Sequence, residues 1–332
     1  MGHLAFPALV ALIAIALTFD LLNGLHDAAN SIATVVSTRV LRPEYAVVWA
    51  AFFNFIAFLF FGLHVAEMVG KGIVSAQIVD ARVIFGALMG AITWNLITWG
   101  LGIPSSSSHA LIGGLIGAGT AKAGLSAIVW SGVIKTTAAI FLSPALGLVL
   151  ALVMVLITAW IFVRTSPIGA DKSFRRMQLV SAALYSLGHG GNDAQKTMGI
   201  IAVLLYSQGM LQGAFHVPLW VVLACQAAMG FGTLIGGWRI VHTMGSKITR
   251  LTPAQGFCAE MGGSITLFIA TLGGVPVSTT HTITGAIVGV GAARRMSAVR
   301  WNVAGSIVIA WLITLPAAAI VGAACYGLAG LF

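Results

Sequence analysis

The sequence predicts an all-α polytopic membrane protein of two inverted-topology repeats, about five transmembrane helices each, with re-entrant or broken helices carrying its motifs. Three observations predict it. First, 59% of the 332 residues are hydrophobic and only 8% charged, against roughly 25% charged in soluble domains. Second, apolar stretches long enough to cross about 30 Å of hydrocarbon recur from Phe6 to Leu331. Third, the chain repeats itself at an offset of 172 residues: Gly102, Pro104, Ser106, Ser107, Ser108, His109, Gly113 and Gly117 fall on Gly274, Pro276, Ser278, Thr279, Thr280, His281, Gly285 and Gly289.

The repeat sets the domain reading: a first repeat over 1–163, a basic linker over 164–177 and a second repeat over 178–332, forming one transmembrane domain. In the first repeat, crossings are expected at 4–22, 44–66, 82–101, 126–141 and 144–163. The polar-tipped segments 23–38 and 104–120 are expected to enter without crossing. Five crossings is an odd number, so the second repeat should lie upside down relative to the first.

The formal charge of +9 suits the excess of Lys and Arg in cytoplasmic loops better than a nucleic-acid surface. Loops 39–43, 121–125, 164–177 and 239–253 hold ten of these residues, and the opposite side holds Lys71, Arg82, Arg294, Arg295 and Arg300. That predicts a multi-pass protein of the inner, cytoplasmic membrane with both termini outside, although Arg294, Arg295 and Arg300 oppose this orientation. Cys225, Cys258 and Cys325 lack ligand or disulfide spacing, so no metal site, cofactor or disulfide framework is expected from them.

Acids at membrane depth are costly and mark ion handling by default. Asp27 sits in Asn23-Gly24-Leu25-His26-Asp27-Ala28-Ala29-Asn30-Ser31, and Asp193 in Gly188-His189-Gly190-Gly191-Asn192-Asp193-Ala194-Gln195-Lys196. The glycines are expected to weaken both helices and expose carbonyls. These, with Asp27, Asn30, Ser31, Asn192, Asp193 and Gln195, would supply oxygens for a hard cation, H+ or Na+. His26 and Glu260 are candidates for proton coupling. The alternative is that these polar groups only fasten helices together.

The second motif pair is Pro104-Ser105-Ser106-Ser107-Ser108-His109 and Pro276-Val277-Ser278-Thr279-Thr280-His281. Proline followed by hydroxyls reads as a helix start, whose free N–H groups and partial positive charge suit an oxyanion. Ser105, Ser106, Ser107, Ser108, Ser278, Thr279 and Thr280 are therefore the candidate anion-binding residues, against the plainer reading of two ordinary helix caps. Lys196 pairs with Asp193 or attracts the anion, and His109 and His281 read as packing residues. Gly113/Gly117 and Gly285/Gly289 are spaced for close helix contact.

These strings resemble the inorganic phosphate transporter family, in particular its bacterial low-affinity Pit-type symporters, over nearly the whole chain. The resemblance implies a secondary active symporter rather than an enzyme. It would import inorganic phosphate, alone or as a metal-phosphate complex, with a proton or sodium gradient. Its partners would be phosphate, the coupling cation and the lipid bilayer, with no nucleic acid, and a homodimer is one arrangement open to it. Three rivals are a carrier of another oxyanion such as sulfate, an intramembrane hydrolase using a serine of 105–108 with His109, and a passive channel. Two departures from the family stand out: His26 where many members carry Asn, and a central loop reduced to 164–177.

Overall fold

The computed structural model describes residues 4–75, 77–211 and 215–330. In chain order the helices are α1 (Phe6–Ser37), α2 (Pro43–Ile56), α3 (His64–Lys71), α4 (Ala81–Leu101), α5 (Ser107–Ala123), α6 (Trp130–Ile161), α7 (Pro167–Ser207), α8 (Leu219–Ile235), α9 (Trp238–His242), α10 (Pro253–Leu272), α11 (Thr279–Arg294) and α12 (Trp301–Leu328). Among the described residues the only β-pairing is an isolated bridge between Val74 and Ile128. Proline opens α1, α2, α7 and α10 in the first turn, where its missing N–H costs nothing. Side-chain caps from Asp80, Ser106, Ser166, Thr252 and Ser278 start α4, α5, α7, α10 and α11.

Among the described residues five helices are long and apolar enough to cross a membrane: α1, α4, α5 with its following turn, α6 and α12. Two bent pairs, α2–α3 at 83° and α8–α9 at 63°, are each apolar enough to form a broken span or a re-entrant loop, and counting each as one span gives seven. Large apolar side chains such as Trp160, Leu156, Ile320 and Phe231 project outward, as a lipid-facing surface requires.

The path of the chain corrects several expectations. Residues 23–38 are not a separate entering segment: α1 runs unbroken for 32 residues through Asp27. The two crossings expected at 126–141 and 144–163 are one helix, α6, which continues through Pro144. The basic stretch 164–177 is helical from Pro167 onward, because Ser166 caps it and α7 extends 41 residues without a break.

The motif glycines are likewise not helix breaks. A Cβ on Gly24 would lie 2.2 Å from the Met229 carbonyl oxygen, on Gly190 2.4 Å from that of Asn54, and on Gly191 2.3 Å from the Phe61 ring. Close packing of neighbouring backbones is what these glycines supply.

The stretch 82–101, α4, forms one arm of a hairpin with α5. Asp80 before α4 and Lys122 near the end of α5 form an ion pair at 2.5 Å, so the two arms start and finish at the same end of the molecule. Gly102, at φ 66°, makes the turn between them. The second hairpin is built alike: Gly274 turns at φ 66°, and its base is tied where Thr249 donates to the Ala298 carbonyl at 3.0 Å and Arg300 N–H to the Ile248 carbonyl at 2.9 Å.

Two apolar cores lie at opposite ends. One joins the first half of α1 (Leu9, Leu12, Phe19) to the last half of α7 (Met198, Ile201, Leu204). The other joins the last half of α1 (Ile32, Val35) to the first half of α7 (Phe174, Tyr185). Helices α1 and α7 therefore traverse the molecule in opposite directions. Each hairpin packs on the last helix of the other half: Gly113 and Gly117 of α5 face the carbonyls of Leu315 and Ala319 in α12, and Gly285 and Gly289 of α11 face those of Pro144 and Leu148 in α6.

Candidate functional site

The two hairpin tips meet in the middle. The rings of His109 and His281 lie edge to face at 4.7 Å, and His281 stacks on Trp311 at 3.8 Å. Trp311 in turn donates to the Pro104 carbonyl at 3.2 Å. Ser106 and Ser278 cap their helices by accepting from the backbone N–H of His109 and His281, each at 3.2 Å. The Asp segments of α1 and α7 pass beside these tips, and no candidate side chain in the Asp or Ser/Thr motifs is more than 3% exposed.

The Asp motifs and the Ser/Thr motifs interlock across the halves. Ser108, of the first hairpin, donates to Asp193 Oδ1 at 3.5 Å, and its counterpart Thr280 donates to Asp27 Oδ1 at 3.4 Å. Thr279 donates to Asp193 Oδ2 at 2.8 Å. Asn30 Nδ2 donates to both Thr279 and Thr280, at 3.1 and 2.9 Å. Ser105 donates to Thr98, whose hydroxyl lies 3.1 Å from His26 Nε2, while His26 Nδ1 lies 2.8 Å from Asp27 Oδ1. Ser107 is buried with no hydrogen-bond partner for its hydroxyl among the described residues.

Around Asp193 gather Lys196, which forms an ion pair with it, and His189, whose Nε2 lies 3.2 Å from Oδ2. Ser31 lies 3.0 Å from His189 Nδ1. Asp27, His189 and Asp193 each offer a ligand atom within 4.8 Å of the others, a grouping able to share one ion. Asn30 and Asn192 commit their amide nitrogens to hydrogen bonds and leave Oδ1 buried and unpartnered among the described residues. Among the described residues, Asp27, His189 and Asp193 are thus the side chains whose ligand atoms come together closely enough to hold one cation.

Two candidates sit elsewhere. Gln195 accepts from the N–H groups of Val65 and Ala66 and donates to the carbonyls of Gly62 and Gly191. Its amide is fully used in fastening the start of α3. Glu260 accepts from Gln178 at 3.0 Å and from Ser181. Ser181 precedes Asp193 by twelve residues of α7, about 18 Å along a helix, so Glu260 belongs to a separate polar cluster.

His189 and Lys196 are the residues that the ligand sets read from sequence omitted. Both lie one turn from Asp193, at i−4 and i+3, where helix geometry places them on its face. The adjacency of Ser107 and Ser108 to His109 brings no nucleophile and base together, because neither nitrogen of His109 has a partner among the described residues.

Residues 23–322 match the phosphate transporter family. The chain belongs to that family. A probable low-affinity inorganic phosphate transporter of Rhizobium meliloti (strain 1021) is 73% identical over 323 residues, covering 97% of each chain. One of Bacillus subtilis (strain 168) is 46% identical over 319 residues, covering 96% of each. A solved structure of a sodium-dependent phosphate transporter superposes with a TM-score of 0.88 at 25% identity, covering 98% of this chain and 100% of that one. The transporter is thus not an enzyme, which disposes of the hydrolase reading, and it is a multi-pass membrane protein as its apolar helices indicate.

Proposed function

We propose that this chain is a secondary active symporter that imports inorganic phosphate across the cytoplasmic membrane with a proton or sodium gradient. The observation that carries this reading is the exchange of partners between halves. Ser108 and Thr280, each in the first turn of a hairpin helix, donate to the carboxylate of the opposite half. An anion held at the helix N-termini and a cation held at the carboxylates therefore share the same hydroxyls. Ser105, Ser106, Ser107, Ser108, Ser278, Thr279 and Thr280 serve the phosphate, and Asp27, Asn30, Ser31, Asn192 and Asp193 serve the cation, with His26 held against Asp27.

Each half then contributes three crossings, α1, α2–α3 and α6 in the first, α7, α8–α9 and α12 in the second, plus one hairpin. The odd number inverts the halves, 1–163 and 178–332, about the stretch 164–177, and alternating access follows from exchanging their conformations. Because the site is closed to solvent on both sides, this conformation corresponds to an occluded step of that cycle.

Orientation follows from the ends. Arg175 Nη1 donates to the Arg39 carbonyl at 3.2 Å, and Leu41, Phe174, Ile248 and Leu251 share one core. Since Ile248 and Thr249 are bonded to Arg300 and Ala298, the cluster Arg294, Arg295 and Arg300 joins the basic end instead of opposing it. That end carries Arg39, Arg42, Arg164, Lys172, Arg175, Arg176, Lys247, Arg250, Arg294, Arg295 and Arg300; the other carries Lys71, Arg82 and Lys122. Lys122, which the sequence reading puts on the basic side, goes with Asp80 to the other end, and Arg239, also read there, donates to the Gly100 carbonyl beside the first hairpin's turn and is counted with neither end. Eleven against three makes the basic end cytoplasmic. Leu4, bonded to Gln208, and Gly330, beside Arg82, then lie outside.

Proteoliposomes carrying the purified transporter should accumulate labelled phosphate when a proton or sodium gradient is imposed, and Asp27→Asn and Asp193→Asn should abolish this. Normal uptake by both variants would remove the carboxylates from the mechanism. Excess sulfate should fail to compete, since a protonated phosphate can donate to a carboxylate and sulfate cannot. Labelled divalent metal entering with phosphate would extend the cargo to a metal-phosphate complex, for which Asp27, His189 and Asp193 are grouped suitably.

A further inference from the structure

The two halves treat their carboxylates differently. Lys196 is 1% exposed, and its three N–H donors meet three oxygens: Asp193 Oδ1, Ser108 Oγ at 2.5 Å and the Val277 carbonyl at 2.8 Å. A carboxylate, a hydroxyl and a backbone carbonyl from three separate segments are the ligands that a bound alkali cation recruits. The offset of 166 residues that pairs Asp193 with Asp27 pairs Lys196 with Asn30. Asn30 is neutral, donates only to Thr279 and Thr280, and leaves Oδ1 unpartnered among the described residues.

Charge separates the two sites further. Asp27 and Asp193 with one ammonium, counted with the neighbouring His26 and His189 imidazoles neutral, leave a formal charge of −1 at the centre. The other two buried carboxyls bond elsewhere, Asp20 to Thr197 at 3.0 Å and Glu260 to Gln178 and Ser181. An uncompensated charge at membrane depth is expensive. One mobile monovalent cation near Asp27 neutralises what Lys196 does not.

We infer that the Lys196 ammonium is a tethered cation filling the coupling-ion site of the second half, so that the transporter carries one mobile cation fewer than its two carboxylates would otherwise take. The inference rests on the reading of the Asp motifs as cation-coupling elements. Lys196 acts on the coupling ratio, because it takes the oxygens of Asp193, Ser108 and Val277 that a mobile cation would otherwise use.

The test is a count of bound sodium on the purified full-length protein by equilibrium dialysis with radiolabelled sodium, using wild type, Lys196→Asn and Lys196→Arg. Lys196→Asn, which installs the first half's residue, should bind one sodium ion more per chain than wild type, and Lys196→Arg should match wild type. Equal counts for wild type and Lys196→Asn overturn the inference. Should Lys196→Asn elute as aggregate on gel filtration, the wild type decides. Sodium activation of its phosphate uptake that is absent or of single-site steepness supports the inference. A Hill coefficient approaching about 2, the mark of two mobile sites, overturns it. Failure of wild type to take up phosphate under any gradient would instead sink the transport reading, leaving the sodium count to judge Lys196 alone.

Discussion

Ser107 and Thr279 are symmetry mates in unlike circumstances, and that difference fixes the sign of two measurements. Thr279 donates to Asp193 at 2.8 Å and accepts from Asn30, whereas the Ser107 hydroxyl is 0% exposed and without a partner among the described residues. Removing an unsatisfied buried hydroxyl returns part of its desolvation cost, on the order of 1 kcal/mol. Ser107→Ala should therefore raise the melting temperature of the ligand-free protein by roughly 2 °C. If that hydroxyl donates to bound phosphate, the same change removes a hydrogen bond to a charged group worth about 1.5–3 kcal/mol, weakening phosphate about 10- to 150-fold. Thr279→Val should do the reverse to stability, leaving Asp193 and Asn30 each short of a partner at a cost of about 1–3 kcal/mol. Thermal melts in detergent without phosphate, followed by phosphate titrations of the same samples, measure both quantities. A Ser107→Ala protein that melts lower than wild type, or binds phosphate with unchanged affinity, would refute the reasoning.

Gly117→Ala should destabilise the protein by about 1–3 kcal/mol through overpacking, since its Cβ would fall 1.9 Å from the Ala319 carbonyl oxygen; Gly305→Ala, inside α12 with nothing within 4 Å, should leave the melt no lower than wild type. Sidedness is open to labelling. In a Cys325→Ser background, Gln77→Cys should react with an impermeant maleimide on intact cells and Arg295→Cys only after permeabilisation, and the opposite pattern would invert the assigned orientation.

The duplication, the membrane environment and the four motifs were legible in the sequence because each rests on residue identity. Pro104 and Pro276 followed by hydroxyls do start helices, and Ser106 and Ser278 do cap them. What was misread depended on the third dimension. Glycine is ambiguous in sequence, serving a break or a close approach, and only the neighbouring carbonyls of Met229 and Asn54 show that Gly24 and Gly190 serve the latter. Pro144 looked like a boundary between two crossings, yet α6 passes through it, as membrane helices tolerate. In the proposed topology the Arg294–Arg300 cluster changes sides, because each hairpin is taken there to turn back instead of crossing. Gln195 stood in a convincing motif, and its engagement with Val65 and Ala66 links residues 130 apart, beyond any local pattern.

Hydroxyls for the anion and carboxylates for the cation make a division of labour in the sequence, and the proposed mechanism adds to it a competition for shared groups. Thr279, Thr280 and Ser108 spend their protons on Asp193 and Asp27. A cation that settles on Asp27 takes over its lone pairs and releases the Thr280 proton toward an anion at the helix N-termini, so each ion should raise the affinity for the other. Linkage requires the two enhancements to be equal. Phosphate titrated at low and saturating coupling cation, and the cation titrated at zero and saturating phosphate, should therefore give the same factor, expected at about 5- to 150-fold for a coupling of 1–3 kcal/mol. Thr280→Val removes the hydroxyl that joins Asp27 to the second hairpin, and should reduce that factor in both titrations together. A variant that weakens phosphate binding while leaving the factor intact would show that the hydroxyls hold the anion without transmitting the cation.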